Sequence, residues 1–235
     1  MTPRTNEPRS QMSELDMPMY SSAEASRFVN LNPTRVRRWL HGYGYEYRKN
    51  IRRQRPVIHR QATEGTSYAS FLDLIDLLFV KGFLDHGLSL QRVRRALCEA
   101  EEILGTNHFA RESFFTDGRN IYLQVRESGD AILQLLSNGQ WVIPDIIRQL
   151  ARQIEFDRAT GLARRWYPKG CEGLIVLDPL MSFGRPIVAT KRITTSNIYD
   201  FFIAEKSSIR AVCSWMSLSK EEVEAAVSFE KELAA

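Results

Sequence analysis

Apolar residues recur at three- and four-residue spacing near both ends of the chain, and at a spacing of two between them. Ala25, Phe28 and Val29 fall at i, i+3 and i+4, the pattern of an inward helical face. Ser21 or Ser22 can cap that helix, with Glu24 in its first turn where the helix dipole favours an acid. Leu31-Asn32-Pro33 interrupts it; Asn32 suits an N-cap and Pro33 the first helical position. The following helix, over 33–41, places Val36, Trp39 and Leu40 on one face and Thr34, Arg35, Arg37 and Arg38 elsewhere. Gly42 and Gly44 then lead into EYRKNIRRQRPVIHR. Tyr45 and Tyr47 alternate there, as do Pro56, Ile58 and Arg60 more weakly. With a turn at Lys49-Asn50 or its neighbours, this predicts a β-wing. Phe71, Leu74, Ile75 and Leu78 form a further helical stripe. After Gly87, Ser89 caps a segment in which Leu90, Val93, Leu97, Ala100 and Leu104 make a narrow seam before Gly105. Such a seam serves as core or as a dimer contact.

In residues 108–170 the period changes. Thr116-Asp117-Gly118, Asn138-Gly139 and Thr160-Gly161 each separate short apolar runs, which predicts hairpins of a small antiparallel sheet. A short helix from Pro144 carries Ile146, Ile147, Leu150 and Ile154. Arg164, Arg165 and Lys169 are read first as solvent-facing strand residues, and second as contacts for nucleic acid or a partner. The last third opens with a short apolar strand over 174–177, stopped by Asp178-Pro179. Three helices follow: about 195–204 with Ile198, Phe201 and Phe202 inward, about 207–215 with Ile209, Val212 and Cys213 inward, and one capped by Ser219 and Glu222. The last carries Val223, Ala226 and Val227 on one face.

Charge sharpens the picture at one place. Residues 35–60 contain nine Lys or Arg (Arg35, Arg37, Arg38, Arg48, Lys49, Arg52, Arg53, Arg55 and Arg60) against one acid, Glu46, while the whole chain of 235 residues carries only +4. The rest of the chain is therefore net acidic. A basic cluster on a helix-turn-helix pattern is the electrostatic footprint of a DNA-binding head. Thr34, Arg35, Arg37 and Arg38 are placed to enter the major groove, where arginine reads guanine edges. Arg48, Lys49, Arg52, Arg53, Arg55 and Arg60 are placed to follow the phosphate backbone.

Other chemistry finds little footing. Cys98, Cys171 and Cys213 are scattered, and His41, His59, His86 and His108 have no metal-ligand spacing, so neither a disulfide framework nor a metal site is expected. No cofactor motif, phosphate loop or nucleophile elbow occurs, and no enzyme activity is expected. Glu99, Glu101 and Glu102 cluster, but their helical spacing points them apart, unlike the converging carboxylates of a metal-dependent nuclease. The first 19 residues are polar, without a signal-peptide core, and read as a flexible tail. No run spans a membrane, and a cytoplasmic location is expected.

SSAEASRFVNLNPTRVRRWL resembles the opening helix-turn-helix of MerR-type regulators. Gly87-Leu88-Ser89-Leu90-Gln91-Arg92-Val93-Arg94 resembles a later element of theirs. The wing here is longer and richer in arginine, and no effector-binding cysteines follow. The C-terminal stretch resembles the small domain of VapB-type antitoxins through Asp178, Pro179, Gly184, Pro186, Val188, Arg192 and Ile193, then Leu218, Ser219, Glu221, Glu222, Val223, Ala225 and Ala226. Thr190 and Lys191 depart from that pattern, which has Gly and Thr there. The order of the two units is similar to that of the larger, mycobacterial-type antitoxins.

The fold expected is mainly α with a small antiparallel β region. A tail over 1–19 precedes a MerR-like winged helix-turn-helix over 20–105, a β-hairpin and helix connector over 106–170, and a homeodomain-like trihelical module over 171–235. The resemblance implies a type II antitoxin, a homodimer that represses its own operon at an operator and neutralises a PIN-like ribonuclease toxin. It assigns no toxin-binding residue. The alternative is a stand-alone MerR-like regulator with a small-molecule effector, held in a pocket near Trp141 and Trp166.

Overall fold

The computed structural model describes residues 14–58, 60, 66–85, 87–94, 149–150, 152–170 and 173–234. Strand β1 (Tyr20–Ser21) leads into helix α1 (Ser22–Phe28) and, across a tight turn, α2 (Pro33–His41). Both caps are those expected. Ser21 Oγ accepts from the Glu24 amide while the Glu24 carboxylate accepts from the Ser21 amide, a reciprocal capping box. Asn32 Oδ1 accepts from the Thr34 amide, with Pro33 at the first helical position. Strands β2 (Tyr43–Tyr47) and β3 (Asn50–Gln54) form a two-stranded antiparallel hairpin, and β4 (Tyr68–Ala69) pairs back onto β1.

Helix α3 (Phe71–Asp85) is the centre of the first core. Leu72, Leu74, Ile75, Leu77, Phe79, Val80 and Phe83 are all buried. The sequence pattern predicts a single stripe; the structure encloses the helix on nearly all sides, as befits a segment with apolar residues all round. Around it pack Tyr20, Ala25 and Val29, then Val36, Trp39 and Leu40 of α2, and Val57 and Ile58 from the chain leaving the hairpin. Each fully buried aliphatic or aromatic side chain contributes about 1.5–3 kcal/mol.

Strands β5 (Ile154–Phe156) and β6 (Ala163–Trp166) form the hairpin expected at Thr160-Gly161, with Asp157 Oδ1 accepting from the amides of Ala159 and Thr160 in its turn. Ile154, Ala163 and Trp166 join the core built on α3. The expected features at 116–118, 138–139 and 144–147, the seam residues Leu97, Ala100 and Leu104, and Trp141, Glu99, Glu101 and Glu102 lie outside the described residues. Residues 90–94 are helical, with Val93 buried.

The C-terminal part has its own core. Strands β7 (Ile175–Val176), β8 (Ile187–Val188) and β9 (Ile193–Thr194) form an antiparallel sheet, followed by α4 (Thr195–Ala204), α5 (Ile209–Met216) and α6 (Lys220–Ala234). Val188, Ile198, Val212, Val223 and Ala226 are fully buried within it. The capping box of α6 is present: Ser219 Oγ accepts from the Glu222 amide, and the Glu222 carboxylate accepts from the Ser219 amide at 2.7 Å. Thr190, one of the departures from the antitoxin pattern, donates its hydroxyl to the same Glu222 carboxylate. The molecule is thus mainly helical with small antiparallel sheets, as the sequence indicates.

Two expectations are corrected here. Residues 14–19 are not tail-like: a 3-10 turn spans Glu14–Asp16, Leu15 and Met19 pack against the α3 core, and the Met19 amide donates to the Ala69 carbonyl. Arg165 is not a plain solvent-facing strand residue either. Its guanidinium joins buried Asp178 (2.6 Å) to Glu155 (3.2 Å), and Lys169 pairs with Glu232 of α6 at 2.7 Å.

Candidate nucleic-acid interface

Helix α2 sorts its residues cleanly. Val36, Trp39 and Leu40 are buried against the core, which turns Thr34, Arg35, Arg37 and Arg38 to solvent. The arginines therefore stand on the outer face of a helix held by its apolar face, the arrangement of a recognition helix. Arg35 lies over the Trp39 ring (6.0 Å), and Arg38 over the ring of Tyr43 (4.8 Å) at the start of the hairpin.

The hairpin is joined tightly to that helix. Trp39 supplies its carbonyl to the amides of Val57 (2.8 Å) and Ile58 (3.2 Å) where the chain returns from β3. Arg94 donates to the carbonyls of Arg55 (2.6 Å) and Pro56 (2.9 Å). Gly42, at φ +70°, makes the corner between α2 and β2; a Cβ there would lie 2.3 Å from the Gln54 carbonyl oxygen. Both the backbone angle and the space require glycine.

The register pairs Tyr43 with Gln54, Tyr45 with Arg52 and Tyr47 with Asn50. The turn is Arg48-Lys49, both at positive φ (48° and 65°), within the neighbourhood of Lys49-Asn50 expected. Two central residues with positive φ give the twist that two-residue hairpins favour. Arg48, Lys49, Arg52, Arg53 and Arg55 are all exposed.

Arg60 is the exception among the predicted contacts. It is 9 % exposed, and its Nε donates to Asp73 at 3.0 Å. It also donates to the carbonyls of Thr66 (3.3 Å) and Tyr68. Asp73 accepts in addition from the Ser70 amide at the start of α3. A guanidinium held by a carboxylate and two carbonyls has a structural task, and Arg60 does not share the surface of the other cations. The charge run concealed this, since nothing local marks one arginine of a run as buried.

His41 ends α2 beside this ion pair. Its Nδ1 faces an Arg60 nitrogen at 3.4 Å, and its Nε2 is buried without a partner. Arginine only donates, so Nδ1 is the acceptor and Nε2 carries the hydrogen. Burial first, then the Arg60 charge, hold the imidazole below its ordinary pKa. Sequence reasoning does not single out Tyr43 or Gly42; the alternation Tyr43-Gly44-Tyr45-Glu46-Tyr47 carries the signal for the first, and a glycine between helix and strand for the second.

Elsewhere, among the described residues, no group of three His, Cys, Asp or Glu side chains is placed to hold a metal ion, and no helix is long and apolar enough to cross a membrane. A groove of about 320 Å³ lies between α1, α3, β6 and α6, lined by Phe28, Leu78, Trp166 and Phe229 with Arg27 and Lys81 at hand.

Comparison with known proteins agrees with this layout. Residues 18–97 match the family described as "Putative DNA-binding HTH domain", and residues 175–229 match "Protein of unknown function (DUF433)". A curated relative, "Putative antitoxin VapB45" of Mycobacterium tuberculosis (strain ATCC 25618 / H37Rv), is 26 % identical over 186 residues, which cover 73 % of this chain and 77 % of that one. The crystal structure of Rv2018 from Mycobacterium tuberculosis superposes with a TM-score of 0.67 at 19 % identity, covering 91 % of this chain and 99 % of that one, and so shares its fold. The chain is thus similar to a VapB-type antitoxin over most of its length, with a helix-turn-helix domain of a DNA-binding type at its N-terminus and a small trihelical module at its C-terminus.

Proposed function

We propose that this protein is the antitoxin of a type II toxin–antitoxin system, that it represses its own operon as a homodimer, and that it neutralises a PIN-like ribonuclease toxin. The observation that carries the DNA half is the outer face of α2. Thr34, Arg35, Arg37 and Arg38 stand exposed on a capped helix whose other face is locked into the core, beside a hairpin bearing Arg48, Lys49, Arg52, Arg53 and Arg55. In this reading α2 reads base edges in the major groove and the hairpin follows phosphates. A two-fold dimer would match a palindromic operator. The toxin half is supported by the similarity to a curated protein of that name; its contact surface lies outside the basic head.

The test has two arms. The purified protein is titrated against DNA from upstream of its own reading frame and against scrambled duplex, and the tagged protein is used to co-purify the product of the adjacent reading frame. Specific binding and a co-purified ribonuclease are expected. Equal affinity for both duplexes removes the repressor reading, and a neighbouring product that neither co-purifies nor is inhibited removes the antitoxin reading.

A second reading, a stand-alone regulator with an effector, draws on the groove between α1, α3, β6 and α6. Its lining is mixed: Phe28, Leu78, Trp166 and Phe229 stand beside Arg27, while Lys81 and Lys169 are paired with Asp85 and Glu232. This suits a small molecule with an apolar body and one acid group for Arg27. A thermal-shift screen of aromatic and aliphatic carboxylates tests it, and a screen without hits counts against it.

A further inference from the structure

The β2–β3 hairpin is exposed on both faces, so its three tyrosines belong to no core. Tyr43, Tyr45 and Tyr47 are 38 %, 40 % and 42 % exposed. As alternate residues of one strand they share a face, recurring about 7 Å apart. The rings of Tyr43 and Tyr45 lie 6.0 Å apart. Arg52 stacks over Tyr47 at 4.5 Å, Arg48 reaches the same ring at 5.4 Å, and Arg38 covers Tyr43 at 4.8 Å. Among the described residues no guanidinium stacks on Tyr45. Burial explains none of these rings; their hydroxyls can donate to duplex phosphates, but that contact makes no use of the ring faces.

Alternating aromatic rings on an exposed strand, edged by cations, are the elements of a platform for unpaired bases: bases stack on rings and on guanidinium planes while the charges hold the phosphates. We propose that the tyrosine face of this hairpin binds single-stranded nucleic acid by stacking, with Tyr45 as the open ring and Arg48, Arg52 and Arg38 supplying both planes and charge. This rests on reading the head as a nucleic-acid surface, but it adds a second ligand, strands with unpaired bases, to the duplex operator.

The experiment is fluorescence anisotropy with labelled oligo-dT and oligo-rU of about 12 nucleotides, a length within the range of small single-strand sites, alongside a mixed-sequence duplex. The full-length protein is compared with Tyr45→Ala, Tyr45→Leu and Tyr45→Phe, and thermal melting confirms that each is folded. Wild type is expected to bind at least one single strand. The Ala and Leu variants should bind it about 10- to 100-fold more weakly, the loss typical of one stacked base, while Phe retains affinity. Binding of dT alone assigns the ligand as DNA, of rU alone as RNA, and of both as either strand; each supports the platform. The Leu variant matters because it keeps apolar bulk without a π face. The proposal is overturned if wild type binds neither strand, if Ala and Leu bind within about twofold of wild type, or if they lose as much on the duplex as on the single strand. Operator binding is measured on the same preparation, so the duplex reading stands or falls separately.

Discussion

The hydroxyl of Tyr20 donates a 2.9 Å hydrogen bond to the carbonyl of Gly184. Tyr20 opens the head, and Gly184 lies in the loop between β7 and β8. The contact is buried, and burial, with the nearby Asp178 and Glu24 charges, keeps the phenol firmly protonated. Gly184 sits at φ +69°, and a Cβ there would meet the Tyr20 hydroxyl at 2.3 Å. Asp178, six residues earlier, takes the guanidinium of Arg165 from β6. Two residues that carry the antitoxin resemblance, Asp178 and Gly184, thus help join the C-terminal module to the rest of the molecule, beside the Lys169–Glu232 pair.

Replacing Gly184 with Ala therefore strains the backbone and drives a methyl group into Tyr20. Chemical denaturation should show a loss of about 1–3 kcal/mol, the usual cost of overpacking. Tyr20→Phe leaves a buried carbonyl without its donor and should cost about 1–3 kcal/mol. The double variant should lose less than the two losses added, because removing the hydroxyl relieves part of the clash.

Arg60 and Asp73 provide the second prediction. Arg60→Met removes this guanidinium from a buried carboxylate and should destabilise the protein by about 3–5 kcal/mol. Thermal melting reads this directly. An Arg60 variant that melts like wild type but loses DNA would restore Arg60 to the binding surface.

On α2 and the hairpin the signature differs. Arg37→Ala or Arg38→Ala should leave melting unchanged and weaken operator binding by about 1–3 kcal/mol if the side chain makes a bidentate base contact. Arg52→Ala and Arg53→Ala should weaken binding to all sequences and flatten the salt dependence by about one unit of slope for each phosphate no longer neutralised. Titrations at several salt concentrations, with specific and scrambled duplex, separate the two classes.

Gly42→Ala should act on the hairpin's aim rather than on the core. Its Cβ would strike the Gln54 carbonyl oxygen, which moves β3 away from the α2 corner. Duplex affinity should fall towards that of the Arg52 and Arg53 variants, with a stability loss of about 1–3 kcal/mol from backbone strain and the clash, read as a lowered melting temperature.

His41 makes stability depend on pH. Its folded-state pKa lies below the ordinary value of 6.5, because burial and Arg60 disfavour the charged ring. The unfolded chain therefore binds the proton first. The contribution of neutral His41 is complete above about 6.5 and is lost as pH falls below that value and through the lowered folded one. Denaturation midpoints measured from pH 7.5 to 5 should decline, and His41→Phe should flatten the decline. An equal slope in the variant would assign the dependence to other groups.

The helix-turn-helix and the three C-terminal helices were legible because their signals are local. Capping boxes at Ser21 with Glu24 and Ser219 with Glu222, Asn32-Pro33 at the turn, and apolar residues at helical spacing each act within about one turn of chain. The hairpin's turn was legible only to within a residue, because Arg48 and Lys49 adopt positive φ without the Gly or Asn that usually marks it. Arg165 read as a surface strand residue because its partner, Asp178, lies 13 residues on, in the loop after β7.

The sequence by itself determined the helices of the head and of the C-terminal module, the buried faces of α1, α2 and the last three helices, and that positive charge collects around α2 and the hairpin, since periodicity, caps and local charge need no distant partner. Only the tertiary structure decided that Arg60 leaves that charged surface for Asp73, that Tyr43 and Tyr47 are stacked with arginines while, among the described residues, Tyr45 is not, and that Gly184 receives Tyr20. Each of these depends on side chains brought together by the packing of α3 or by strand pairing. A buried carboxylate secures the nearest guanidinium that packing allows, and no spacing along the chain records which one that is.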